Sequence, residues 1–253
     1  MPLTINCDMG ESFGLYGFGD DAACMPFVTH ANIACGFHAS DPKTMWRTVK
    51  QAAEAGIGIG AHPGLPDREG FGRRAMKMSR EDVVAMVHYQ CGALNAFLAA
   101  EGLGMSHIKP HGALFGMAQS EEHVAEAIAD VALSMELPVI GYSNCEMSRV
   151  FTRRNVPFVC EFYADLDYGD DGRQIISMSH KAFDGAEVVQ KVERAVAHGT
   201  AKSVNGREIE VVADTICVHS DTPGALDVAR AVHAALADRL SPSLVQGRAC
   251  GDS

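Results

Sequence analysis

The sequence lacks long apolar runs, has one tryptophan, carries no basic excess and contains no closely spaced cysteine pair. No stretch approaches the ~18–20 apolar residues needed to cross a bilayer. The first residues show neither the basic n-region nor the apolar h-region of a secretion signal, so a cytoplasmic location away from membranes is expected. A formal net charge of −11 leaves no basic stripe for a nucleic-acid partner. The 8 cysteines are scattered without a C-x-x-C, several of them inside apolar runs where cysteine acts as a small hydrophobe. That usage suits a reducing compartment, with a catalytic thiol at Cys7 or Cys35 as the lesser alternative. G-x-x-x-x-G-K-[ST] is missing, which excludes a P-loop ATPase, and no G-x-S-x-G elbow supports a serine hydrolase. Gly56, Gly58 and Gly60 alternate without forming G-x-G-x-x-G, a pattern that lets a strand pack closely against its neighbour.

What the sequence does have is a recurring unit: a brief apolar stretch, then His, Asp, Glu or Lys beside Gly or Pro. Leu3–Met9 runs into Gly10-Glu11, and Phe27–Ile33 into Cys35-Gly36-Phe37-His38. Ile57–Gly60 ends in His62-Pro63-Gly64, and Ser106–Lys109 in Pro110-His111-Gly112. Pro157–Phe162 leads to Asp165, and Val211–Val218 to His219-Ser220-Asp221; Pro138–Tyr142 completes the set of expected strands. Helices are predicted between them. One is capped by Ser40 or Asp41 with Pro42 in its first turn and ends at Gly56; another is capped by Ser79 and closed by Gly102. Further helices run from Ser120 toward Met135, from Asn144 to Arg154, from Asp184 to His198 and from Gly224 to Leu240. Pro63–Met76 is a long glycine-containing loop and Asp165–Phe183 is irregular, with a turn at Gly169–Gly172. A small hairpin is expected around Asn205-Gly206, and the tail after Ser241 is poorly specified.

Alternation of this kind predicts one α/β domain over residues 1–253. A parallel sheet with helical crossovers would close into an irregular seven-stranded, TIM-like (β/α) barrel. An open doubly wound sheet is the alternative, but it gathers ligand contacts at one switch point rather than around a rim.

The strand ends carry the chemistry. A partly desolvated Asp8 or Glu11 can act as general acid or base. His38, His62, His111 and His219 each follow a different strand, and Lys109 and His111 bring a cation and an imidazole toward one ligand. Asp8, His62 and His111 would also serve as carboxylate and imidazole ligands of a divalent metal with an open position for water. Arg68, Arg73 and Arg74 in the long loop are candidates for clamping a carboxylate or phosphate. His30, His88, His123, His198 and His233 read as structural.

Asn6–Gly14, Ala31–Ala39, Gly60–Gly64, Gly70–Arg74, Lys109–Leu114 and Ala213–Cys217 together resemble the LamB/YcsF family, in order from about residue 3 to residue 240. The resemblance implies an irregular (β/α) barrel similar to those of glycoside hydrolases and polysaccharide deacetylases. It also implies a part in the ATP-dependent opening of 5-oxo-L-proline to glutamate, shared with separate B and C subunits. On that reading Asp8, Glu11, His38, His62, Lys109 and His111 are catalytic. Asn6, Asn32, Arg73, Arg74, Glu161, Asp165, His219 and Asp221 bind substrate. ATP is the cofactor, shared with the partner subunits, while a divalent metal belongs to the alternative of a metal-dependent amide hydrolase or carbohydrate deacetylase. A non-catalytic binding role within such a complex is a third reading.

The chain departs from the family pattern at three places. Leu166 stands where an arginine of F-A-D-R-x-Y is usual, Met178–Ala182 where R-S-x-P-G is usual, and Ser220 within the usual H-G-D. Losing two planar bidentate groups bears on which lactam, amide or carboxylate-bearing compound is bound.

Overall fold

The structure, a computed structural model, describes residues 3–175 and 184–241. Its chain alternates strand and helix as the sequence predicts. The strands are β1 (Thr4–Met9), β2 (His30–Ala34), β3 (Gly58–His62), β4 (Val139–Gly141), β5 (Phe158–Tyr163), β6 (Asp167–Tyr168), β7 (Gln174–Ile175), β8 (Thr200–Lys202), β9 (Glu208–Glu210) and β10 (Thr215–His219). The helices are α1 (Asp21–Cys24), α2 (Pro42–Glu54), α3 (Arg80–Ala100), α4 (Gly112–Ser120), α5 (Glu122–Ser134), α6 (Glu146–Arg154), α7 (Gly185–His198) and α8 (Ala225–Leu236).

Local chemistry explains where these elements begin. Asp41, rather than Ser40, caps α2: its carboxylate accepts from Lys43 N at 2.9 Å and Thr44 N at 3.0 Å, and Pro42 opens the first turn. Ser79 Oγ accepts from Asp82 N at 3.1 Å and donates to Asp82 Oδ2 at 2.8 Å, fixing the start of α3. β2 starts at His30 instead of Phe27 because Met25–Phe27 form a 3-10 turn. Helix α4 lies where the sequence pattern predicts none.

Six strands form one parallel sheet in the order β3-β2-β1-β10-β5-β4. The sheet curls until the segment around Ile108 hydrogen-bonds to both of its edges. Lys109 N donates to Ala61 O at 2.8 Å on one side, and Ile108 N donates to Pro138 O at 3.0 Å on the other. The seventh strand expected at Ser106–Lys109 is therefore reduced to isolated bridges at Ile108. Pro110 has no N–H to extend the ladder, and His111 N turns away to Pro63 O at 2.8 Å. Two antiparallel hairpins, β6–β7 and β8–β9, lie outside this sheet. The first contains the predicted Gly169–Gly172 turn and the second spans Asn205-Gly206. Met178–Ala182 and the tail after Ser241 fall outside the described residues.

Helix α3 corrects one expectation: at 21 residues it is long and apolar enough to span a bilayer on length and composition. It nevertheless packs in the core through Val83, Met86, Val87, Cys91, Leu94 and Leu98. Its buried Gln90 both accepts from Gly64 N and donates to Gly64 O at 2.9 Å, pinning the end of β3 to the helix. The alternating glycines of β3 permit close approach. A Cβ on Gly60 would stand 2.3 Å from the His107 ring.

Candidate active site

All six strands of the sheet run parallel, so their C-terminal ends open on one mouth. Register then aligns their polar ends: Asp8 lies opposite Asn32 on one side and His219 on the other, while Ala34 pairs with His62. A cavity at this mouth is lined by Asp8, Glu11, His62, Lys109, His111 and His219. Arg73 and Asp221 reach its rim, and Phe71, Phe115, Tyr163 and Leu166 give it an apolar wall.

Lys109 is the centre of an ionic group. Its Nζ lies 2.9 Å from Asp8 Oδ1 and 2.8 Å from Glu161 Oε1, and donates to Asn6 Oδ1 at 3.1 Å and Cys217 Sγ at 3.2 Å. Burial alone would strip charge from both partners. It is outweighed for Asp8 by His62 and Lys109, which hold the carboxyl well below its usual range. For Lys109 it is outweighed by Asp8 foremost, then Cys217 and Glu161, which raise the ammonium well above its usual value. Asn32 Nδ2 donates to Asp8 Oδ1 and to Asn6 Oδ1, each at 2.7 Å, and His107 Nε2 meets Asn32 Oδ1 at 2.6 Å. Asn6, Asn32 and Glu161 thus stand behind Asp8 and Lys109 rather than on the cavity surface. They orient the charged pair.

His219 forms a second dyad with Asp165, Nδ1 to Oδ1 at 2.8 Å, while Asp165 Oδ2 accepts from His219 N at 2.9 Å. Burial works against an imidazolium, but Asp165 overcomes it and raises His219 well above 6.5. The cation faces Asp8 Oδ2 at 3.8 Å.

Opposite lies a histidine group. His62 Nε2 is 3.4 Å from Asp8 Oδ2 and 3.0 Å from His111 Nδ1. His38 stacks on His111 with centroids 3.7 Å apart, and its Nε2 meets Glu11 Oε1 at 3.2 Å. Burial lowers His38 and His111 well below the usual imidazole value, and burial with the nearby Asp8 charge raises Glu11. Two sets of donor atoms converge within 4.8 Å: Glu11, His38, His62 and His111, and Asp8, Cys217 and His219. Of the set Asp8, His62 and His111, His62 contacts both others.

Several candidates lie elsewhere. Arg74 turns from the cavity to Asp67, its Nε 2.9 Å from Oδ2, because the loop folds back on itself through Gly72 N to Asp67 O at 2.8 Å. Arg68 donates to Ser40 O at 3.0 Å and covers the Phe13 ring. Both brace the Pro63–Met76 loop. Cys7 and Cys35 are buried, and burial pushes the first well above 9.0 and the second to about 12, which is poor for a nucleophile. Tyr163, Phe71, Phe115 and Gln174 line the cavity although the sequence pattern does not point to them. Tyr163, just past an expected strand, and Phe71, inside Gly70–Arg74, carry a signal that could have found them.

Comparison with known proteins agrees with this architecture. The chain is 44% identical over 234 residues to the 5-oxoprolinase A subunit of Bacillus licheniformis, covering 91% of this chain and 92% of that one. For the corresponding 5-oxoprolinase A subunit of Bacillus subtilis the identity is 43% over 235 residues, covering 91% of each. The crystal structure of the lactam utilization protein from Thermus thermophilus superposes with a TM-score of 0.87 at 38% identity, covering 94% of this chain and 97% of that one. Residues 3–243 match the LamB/YcsF family, and the chain with its curled parallel sheet and polar mouth belongs to it.

Proposed function

We propose that the chain is the ring-opening component of an ATP-dependent lactam hydrolase that converts 5-oxo-L-proline to L-glutamate in the cytoplasm with B- and C-type partner subunits. The observation that carries this reading is the placement of Asp8, held by Lys109 at 2.9 Å, beside His219, held by Asp165 at 2.8 Å, with Asp8 Oδ2 and His219 Nε2 3.8 Å apart at one cavity. That is a carboxylate drawn toward the anion and an imidazole drawn toward the cation, side by side and facing the same cavity, a base and an acid for one reacting centre.

An unstrained amide resists attack by water, so ATP supplies a better electrophile by phosphorylating the lactam oxygen. The chain carries no P-loop motif, and the phosphoryl step is assigned to the partner subunits. Asp8 then takes a proton from water as its oxygen adds to the ring carbon. The C–N bond breaks as His219 gives its proton to nitrogen and the added hydroxyl releases its own proton to solvent, leaving an acyl phosphate. A second water hydrolyses that phosphate to the carboxylate and inorganic phosphate. Arg73 at the rim pairs with the substrate carboxylate or the transferred phosphate. Leu166 forms apolar wall where the family usually carries an arginine, so a paralogous substrate with less anionic charge at that wall is the main alternative within this reading.

The test is 5-oxoproline opening by the purified chain, with and without ATP and with and without B and C subunits. Glutamate release only in the complete mixture is expected. Release by this chain alone without ATP would refute the coupling.

A further inference from the structure

The histidine wall of the cavity fixes two ring tautomers. A carbonyl oxygen can only accept, so His62 Nδ1, 2.7 Å from Lys109 O, carries its hydrogen there. By the same rule His111 Nε2 donates to Phe71 O at 2.8 Å. In neutral imidazoles the remaining nitrogens, His62 Nε2 and His111 Nδ1, bear lone pairs, and they face each other at 3.0 Å. Lone pairs at that separation repel unless something positive lies between them. One proton would suffice for two nitrogens, but a third donor converges on the same place: Glu11 Oε1 lies 3.6 Å from His111 Nδ1. Ligands bound tetrahedrally at ~2.0–2.1 Å from a metal stand roughly 3.3 Å from one another, close to the spacing of these atoms.

Each donor is also held from behind. Lys109 O orients His62 and Phe71 O orients His111, as outer contacts orient metal-bound histidines. His38 Nε2 meets Glu11 Oε1 at 3.2 Å. His38 itself is stacked on His111 with only 5° between the planes. Two parallel rings cannot both aim in-plane lone pairs at one point, so His38 suits the role of donor to Glu11 rather than ligand. Its seat is built for that placement: a Cβ on Gly64 would lie 2.4 Å from His38 Nδ1, and one on Gly72 would lie 2.7 Å from His38 Cβ. Asp8 stands beside the set: its Oδ1 is taken by Lys109 and Asn32, and its Oδ2, though 3.4 Å from His62 Nε2, also faces His219 at 3.8 Å and gathers with Cys217 and His219 instead.

We propose that His62 Nε2, His111 Nδ1 and a carboxylate oxygen of Glu11 bind one first-row divalent metal ion of the zinc type, with His38 positioning Glu11. Two imidazoles and one carboxylate favour zinc and its neighbours over magnesium or calcium, which want oxygen ligands. Three protein ligands leave a position open on the cavity side, the pattern of reactive rather than structural sites. The inference does not rest on the lactam reading and holds for any substrate of this cavity.

The test is titration of chelator-stripped protein with Co2+, followed by visible absorption and then by displacement with Zn2+. Saturation at about one equivalent per chain is expected. E11Q, H62A and H111A should each weaken Co2+ binding by about 100-fold or more, and H38A by about 10–100-fold. D8N, which removes a charge beside His62 but no ligand, should weaken binding by about 10-fold, less than loss of any of the three ligands. Thermal unfolding of each variant checks that it is folded. A measurement that needs no variant counts the paramagnetically shifted imidazole N–H signals of the Co2+-loaded protein, where two are expected, from His62 Nδ1 and His111 Nε2. Absence of saturable binding, a different number of shifted signals, or binding lost in D8N and kept in E11Q would overturn the proposal.

Discussion

The two walls of the cavity are equally buried and electrically opposite. On the Lys109 side burial is overruled: Asp8 and Asp165 are driven toward the anion, Lys109 and His219 toward the cation. On the Glu11 side burial wins, keeping His38 and His111 toward neutrality and raising Glu11. The difference is pairing. Asp8 and Lys109 touch opposite charges at 2.9 Å, whereas the carboxyl facing His38 at 3.2 Å is Glu11, itself pushed toward neutrality by burial and Asp8, and the other imidazoles and Arg73 make a cation less welcome. Burial alone therefore does not predict the charge of a site; whether the partner beside it is itself charged does.

The strongest way to break this contrast is K109M, which leaves Asp8 and Glu161 buried without their cation. Its unfolding free energy in urea should fall by about 3–5 kcal/mol, whereas E11Q on the opposite wall should cost only about 1 kcal/mol. Equal losses would mean that the walls do not differ as described. Next in size, D8N should lower turnover in the complete ATP-dependent assay by about 10²–10⁴-fold with the fold intact. A D8N enzyme within about threefold of wild type would remove Asp8 from the chemistry.

D165N tests the dyad through pH. His219 is raised in the folded state, so the stability it lends is complete below about 6.5 and is lost as pH rises through its higher folded value. D165N should bring the imidazole titration, read by NMR, back down and flatten that alkaline loss of stability. The smallest effect is expected away from the cavity, at Asp41. Hydrogen bonds from Gly14 N and the start of α2 hold its carboxyl at about 2, against 3.8 unperturbed. Its contribution is therefore present above pH 3.8 and fades as pH falls toward 2. D41A should cost about 1 kcal/mol by thermal or urea unfolding at neutral pH, and less near pH 2.

Much of the site is legible because strand ends announce themselves: Asp8, Glu11, His38, His62, Lys109, His111 and His219 are each a polar residue closing an apolar run. What the sequence does not convey is direction. Asn6 and Asn32 belong to the same motifs, yet they lie beneath the cavity surface, bonded to Lys109 and Asp8 as their supports. Arg73 and Arg74 are adjacent, and the loop's return through Gly72 sends one to the cavity rim and the other to Asp67. Helix α4 is hidden in the sequence because Gly112 and Gly116 weaken its local propensity; burial of Leu114, Phe115 and Met117 holds it. The strand expected at Ser106–Lys109 has the right residues but lacks the length, cut short by Pro110.

That truncated segment has a consequence for how the site comes together. Ile108 is the seam by which the two margins of the sheet are stitched, and Lys109 and His111 are the next residues along the same thread. Parting the seam would draw the ammonium away from Asp8 and the imidazole away from His62 in one movement. Closing the sheet and assembling the chemistry are thus a single event, and slow hydrogen exchange at the Ile108 and Ile140 amides would be its timekeeper.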